Sequence, residues 1–228
     1  MVKQLEQARV WMIAFLGVAM ERPTRKFKLD VGRYPKATVI TDACPTGMGG
    51  ILLINNRVIK AFAFKVTETD AKELGFTESW KTAASQGIVE TLAVLLALKI
   101  WKDQLASCHL ELQVQSDSMV ALSTSQKLSN PNAALNFIGA EIAIQCEAIG
   151  VEGLRATHIP GVANEVADYL SREDKRESAT KPKDLENVPI HKDESARGAD
   201  FYFLPTPFQA PELWHSSATA NQIWASLR

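Results

Sequence analysis

The sequence predicts an α/β fold: a mixed five-stranded sheet, three antiparallel strands followed by parallel ones, flanked by helices. Three short apolar or β-branched segments lie close together between residues 37 and 66, with turn signals between them, which is the pattern of an antiparallel meander. Beyond them helical stretches alternate with strands, and strands separated by helices pair in parallel through crossovers. The composition fits: 228 residues, 46% hydrophobic and 22% charged, suffice for one sizeable domain with extensions or two small ones. They exclude a disordered chain, a collagen or a disulfide scaffold.

Ala37-Thr38-Val39-Ile40-Thr41, between Pro35 and Pro45, is the first strand. Gly49–Ile54 is the second and Val58–Val66 the third, joined by the tight-turn pair Asn55-Asn56. Thr82–Gln104 is a long helix whose leucines at 92, 95, 96 and 98 leave it apolar on most sides, so neighbours must bury it. His109–Ser116 alternates apolar and polar residues and reads as a strand. Ser118–Leu128 is helical, Asn130-Pro131-Asn132 breaks it, and Ala133–Ile149 is the next helix. Val151–Ile159 is the fifth strand and Val162–Arg172 the last helix. After Arg172 come a charge run, a poorly apolar stretch over 181–197, and Phe201–Trp214 with its prolines and aromatics. The domain plan is therefore a basic arm at 1–35, an α/β domain at 36–172 and a charged linker with an aromatic, proline-rich tail at 173–228. There is no internal repeat.

Four acids fall where such a sheet can bring them together. Asp42 ends the first strand, Glu90 lies in the apolar helix, Asp117 ends the fourth strand and Asp168 lies in the last helix. If the first and fourth strands are parallel neighbours, Asp42 and Asp117 share the carboxyl edge, where open α/β sheets bind ligands. Like charges gathered there raise one another's pKa values unless a cation neutralises them. Oxygen donors without histidine or thiolate select Mg²⁺ or Mn²⁺. Two such ions roughly 4 Å apart clamp in-line displacement at phosphate. Each acid alone has an ordinary reading: a turn aspartate, a helix-dipole partner, an N-cap beside Ser118, one solvated helix face. Those readings are independent, whereas one site explains all four.

The order Thr41-Asp42-Ala43 with Gly47 and the Gly49-Gly50 pair, Glu90 followed by Ala93, Ser116-Asp117, Pro160-Gly161-Val162-Ala163-Asn164 and Ala167-Asp168-Tyr169-Leu170-Ser171-Arg172 resembles the ribonuclease H domain of retrotransposon reverse transcriptases, nearest to gypsy-like and DIRS-like elements. The resemblance covers about 36–172; the arm looks like the end of a polymerase thumb or connection segment. It implies a ribonuclease H-like fold and a Mg²⁺- or Mn²⁺-dependent endonuclease, using two ions, that cuts the RNA strand of an RNA–DNA hybrid. It places the active-site acids at Asp42, Glu90, Asp117 and Asp168, and a proton-moving histidine at His158, which also reads as a plain strand end. Asn164 would orient Asp168 from one helical turn away, and also reads as a helix-start asparagine. Gly49 and Gly50 would admit the hybrid's minor groove to the second strand, or form a simple bulge; Ser118 would stand beside the site.

Other classes fit less well. Related integrases, transposases and 3′–5′ exonucleases would space their acids differently; Cys44 stands where an exonuclease needs a glutamate. A catalytically inactive connection or nucleic-acid-binding module remains the alternative. No Tyr/Phe-x-Asp-Asp run marks a polymerase site. The charge is uneven: +4 over 1–35, −3 over 36–172 and −2 over 173–228. The segment Ala133–Ile149 carries Glu141 and Glu147 and no lysine or arginine. A weak grip on a polyanion is therefore expected, with a polymerase domain as the partner that holds the hybrid. Val10–Met20 is shorter than the ~20 residues of a membrane helix, and Glu6 speaks against a signal peptide. The expectation is an intracellular protein with no membrane span and with Cys44, Cys108 and Cys146 as thiols.

Overall fold

The structure, a computed structural model, describes residues 9, 12, 13, 36–74, 83–106, 111–128, 130–151, 154–192 and 201. The basic arm with Arg22, Arg25, Lys26, Lys28 and Arg33, Cys108, and nearly all of the Val10–Met20 and Phe201–Trp214 segments lie outside the described residues.

The chain opens with β1 (Lys36–Cys44), β2 (Gly47–Ile54) and β3 (Arg57–Lys65), a meander of antiparallel pairs. Its second turn is tight because Asn55 (φ 51°) and Asn56 (φ 65°) both accept the left-handed conformation. Then follow α1 (Glu68–Glu73), α2 (Ala83–Ile100), α3 (Lys102–Ala106), β4 (Glu111–Ser116), α4 (Met119–Lys127), α5 (Ala133–Ile149) and β5 (Arg155–His158). A 3₁₀ turn at Gly161–Ala163 leads into α6 (Glu165–Ser171) and α7 (Glu173–Ser178). A second 3₁₀ turn at Lys183–Leu185 precedes β6 (Ile190–His191).

The strand order is β5-β4-β1-β2-β3-β6. β4 pairs in parallel with both β1 and β5, so β1, β4 and β5 point the same way. The mixed α/β sheet is as expected, but it has six strands rather than five. The sixth comes from beyond Arg172, in the stretch read as linker: Ala61 pairs with Ile190 and its N–H donates to the Pro189 carbonyl at 3.3 Å. A two-residue strand acquires its character only from its neighbour, so no local pattern announces it. α1 was likewise not expected, although Thr67 and Asp70 cap one another in the Thr-x-x-Asp manner. β5 is shorter than the expected Val151–Ile159 because Gly150 (φ 80°) ends α5 and the Val151 N–H still closes that helix on the Cys146 carbonyl.

One face of the sheet is covered by α2, whose Leu92, Leu95, Leu96 and Leu98 are buried, with α4 and α5 packed behind it. The other face is covered by α6 and the chain that follows. Here Ile51, Ala61, Ala63, Leu170 and Leu185 form a separate buried cluster. Leu185 is fully buried although it lies beyond the expected domain boundary. Leu185→Ala is therefore expected to cost about 2–4 kcal/mol, read as a fall in the urea midpoint; an unchanged midpoint would mean that 173–192 contributes no packing. Among the described residues no helix is long and apolar enough to cross a membrane, and Cys44 and Cys146 are free thiols.

Candidate active site

Because β1 and β4 are parallel neighbours, Asp42 near the end of β1 and Asp117 just after Ser116 arrive at the same edge. Glu90 reaches it from α2 on one face and Asp168 from α6 on the other. All four line one cleft of about 410 Å³, with Gln86, Arg172 and Lys175 also on its walls.

Asp42, Glu90 and Asp168 are each held by a different local device. Asp42 is buried, at 7% exposure. Its Oδ2 accepts a 2.6 Å hydrogen bond from Ser171 Oγ, and Asn164 Nδ2 stands 3.5 Å from Oδ1. Burial pushes the Asp42 carboxyl up to about 6; the Ser171 hydrogen bond opposes the rise, while the charges of Asp117 and Asp168 add to it. Glu90 accepts from Gln86 Nε2 at 3.2 Å, and the same amide nitrogen donates to the Ala43 carbonyl at 2.5 Å, tying α2 to β1. Burial raises the Glu90 carboxyl too, against hydrogen bonds from Ser118 and Gln86. Ser118 also caps α4, its Oγ accepting from the Ala121 N–H at 3.2 Å. Asp168 differs: burial would raise it, but Lys175 and Arg172 outweigh that and hold it below the ordinary carboxylate value. Arg172 Nε lies 2.6 Å from Oδ1, and Lys175 Nζ bonds Oδ2.

Two expectations are corrected. Asn164 does not orient Asp168: its side-chain amide donates to the Thr41 carbonyl at 3.2 Å and faces Asp42, because the 3₁₀ turn aims it at β1. Gly49 and Gly50 are buried within the sheet rather than open to a substrate. A Cβ on Gly49 would lie 2.4 Å from the Ser171 nitrogen and 2.6 Å from the Ala167 carbonyl oxygen, so its missing side chain lets α6 pack on β2. On Gly50 it would meet the Phe62 ring at 2.5 Å. His158 is exposed at the end of β5, paired in register with Ser116, and is not among the residues lining the cleft.

Sequence reasoning assigned no role to Gln86, Glu165, Ser171, Arg172 or Lys175. Glu165 precedes Asp168 by three residues and Arg172 follows it by four, the spacings that share a helix face, so a signal existed for both.

The fold is mixed α/β, a six-stranded sheet with helices on both faces. Its strand order, with three antiparallel strands and two parallel ones beside β1, is the arrangement the sequence motifs implied. No family model and no curated sequence matches the chain. Among the solved structures that resemble it are ribonucleases H1. That of the halophilic archaeon Halobacterium salinarum NRC-1 is 15% identical with a TM-score of 0.45, covering 63% of this chain and 99% of that one. LC11-RNase H1, isolated from compost by a metagenomic approach, is 22% identical with a TM-score of 0.46 over the same shares. The LC11 enzyme in complex with an RNA/DNA hybrid gives 22% and 0.47, covering 63% and 100%.

Among the described residues no three His, Cys, Asp or Glu side chains form a ready set of metal ligands. The donor chemistry nevertheless suits a hard divalent ion: five carboxylates, counting Glu165, face two cations on the cleft walls, with neither histidine nor cysteine. A second cleft of about 450 Å³ runs along the other flank of α6, lined largely by Ile40, Ile51, Leu53, Val58 and Val166. It gathers no comparable cluster of titratable groups.

Proposed function

We propose that this chain is a divalent-metal-dependent endoribonuclease of the ribonuclease H type, cutting the RNA strand of RNA–DNA hybrids as part of a retroelement reverse transcriptase. The observation that carries the reading is the convergence of Asp42, Glu90, Asp117 and Asp168, from four separate elements, on one cleft at the carboxyl edge of the sheet.

Those four carboxylates would hold Mg²⁺ or Mn²⁺. When bound, such ions supply charge stabilisation at the scissile phosphate and activate the attacking water. The chain's own part is to hold its ligands still. Ser171 fixes one oxygen of Asp42, and Gln86 with Ser118 fixes Glu90, so these two carboxylates are aimed before any ion arrives. Burial keeps Asp42 poorly solvated and its proton tightly held, so a metal cation binding there would have to displace that proton. His158, exposed where β5 pairs with Ser116 and outside the cleft lining, would take part in proton transfer or product release only from the cleft's edge, and otherwise is a plain strand end.

The retroelement context rests on the motif around Asp168, whose parts have visible work in this cleft: Ser171 holds Asp42, and Arg172 holds Asp168. It rests also on α5, which carries no lysine or arginine, so a polymerase domain is the natural source of grip on the hybrid. The test is incubation with labelled RNA in a hybrid, single-stranded RNA and duplex RNA, with Mg²⁺ or with EDTA. Cleavage confined to the hybrid with metal, leaving 5′-phosphate and 3′-hydroxyl ends, is expected. Comparable cutting of free RNA, or cutting in EDTA, would refute the reading; no cutting even with a polymerase domain supplied in trans would assign the chain to a non-catalytic module.

A further inference from the structure

We propose that Arg172 and Lys175 form a protein-borne cation latch on Asp168, which a divalent ion has to displace before Asp168 can act as its ligand. The inference rests on the metal-dependent reading above and adds the residues that set how readily the ion binds.

Asp168 is the one of the four carboxylates, among the described residues, with cations on both oxygens. Arg172 Nε takes Oδ1 at 2.6 Å, and Lys175 Nζ takes Oδ2. Arg172 reaches Asp168 because it follows four residues later at the end of the same helix. Lys175 would not reach it along a straight helix. The chain breaks at Arg172 (φ −109°, ψ 117°), and α7 then brings Lys175 back over the cleft. The break therefore has a consequence at the site.

The latch is built to open. The side chains of Arg172 and Lys175 are 43% and 45% exposed, so both can swing into water at little cost, while Asp168 stays on its helix. A divalent ion that takes the Asp168 oxygens supplies the charge the two side chains supplied before. Freed, the two cations remain on the wall of a cleft where a polyanion would lie. Arg176, one residue further on, is a natural control: its Nη1 bonds the Leu170 carbonyl and not Asp168.

Calorimetric titration of Mg²⁺ into the full chain tests this without reference to activity. Lys175→Met is expected to bind Mg²⁺ about two- to fivefold tighter, and Arg172→Met/Lys175→Met about tenfold tighter, as the loss of half-exposed ion pairs implies. Lys175→Arg, which keeps the contact, should stay at the wild-type affinity. In thermal melts Lys175→Met should unfold slightly earlier without metal and gain more from Mg²⁺ than wild type. Unchanged or weaker binding in Lys175→Met and the double variant overturns the latch. Equal tightening in Arg176→Met overturns it too, since that would be a general charge effect. Binding of the same strength in every variant sinks only the latch, whereas no Mg²⁺ binding by any protein, wild type included, sinks the metal-dependent reading with it.

Discussion

Asp42→Asn is expected to abolish hybrid cleavage while making the metal-free protein more stable above about pH 6. Activity falls because a neutral amide replaces the most buried of the four anionic groups on the cleft. Stability rises for a separate reason. The folded-state pKa of Asp42, about 6, lies above its ordinary value of 3.8, so the folded protein holds that proton more tightly than the unfolded chain. The group's contribution is therefore complete below the ordinary value and is lost as pH rises to the folded one. That window separates the two proteins by about 3 kcal/mol at most. Asparagine never ionises and can still accept from Ser171. Unfolding curves of both proteins between pH 4 and pH 8, without metal, should diverge as pH rises through that window. Identical curves would show that Asp42 is not charged in a buried place; full activity would remove it from the site.

Gly49→Ala is expected to lower stability by about 3 kcal/mol and to remove cleavage as well. The added methyl would fall within 2.4–2.6 Å of three backbone atoms of α6. Backbone cannot rotate aside as a side chain can, so the helix itself must lift. α6 carries Asp168 and Ser171, so lifting it separates one carboxylate from the cleft and takes from Asp42 its hydrogen-bond donor. Gly50→Ala is the comparison: its closest neighbour is the Phe62 ring, which can tilt, and the cost should be smaller. Urea midpoints for the two variants decide the matter, and equal losses would contradict the packing account.

Elements with their own start and stop signals were legible in the sequence. α5 has the expected limits because Asn132 caps one end, accepting from the Ala134 and Leu135 N–H groups, and Gly150 closes the other. The Asn55-Asn56 turn set the β2–β3 hairpin in the same way. β6 and α7 were not legible, since Ile190-His191 is a strand only by pairing with β3, and Glu173–Ser178 reads as charge without an apolar face. At the cleft, the placement of the four acids followed from the strand order. What surrounds them did not. Asn164 lies four residues before Asp168, so spacing along the chain pointed to the wrong carboxylate; packing of the 3₁₀ turn on β1 turned it to Asp42. Arg172 could have been read from helix spacing, but Lys175 is seven residues from Asp168 and reaches it only through a break that no single residue announces.

The central claim is that four carboxylates act as one metal-dependent site. Its most direct measurement is single-turnover cleavage of an end-labelled hybrid by Asp42→Asn, Glu90→Gln, Asp117→Asn and Asp168→Asn, with hybrid binding measured alongside in Ca²⁺. The account predicts that each variant binds hybrid about as well as wild type and loses cleavage by roughly a hundredfold or more, the scale of several kcal/mol of transition-state stabilisation. Any one of the four retaining wild-type cleavage with unchanged binding would contradict it.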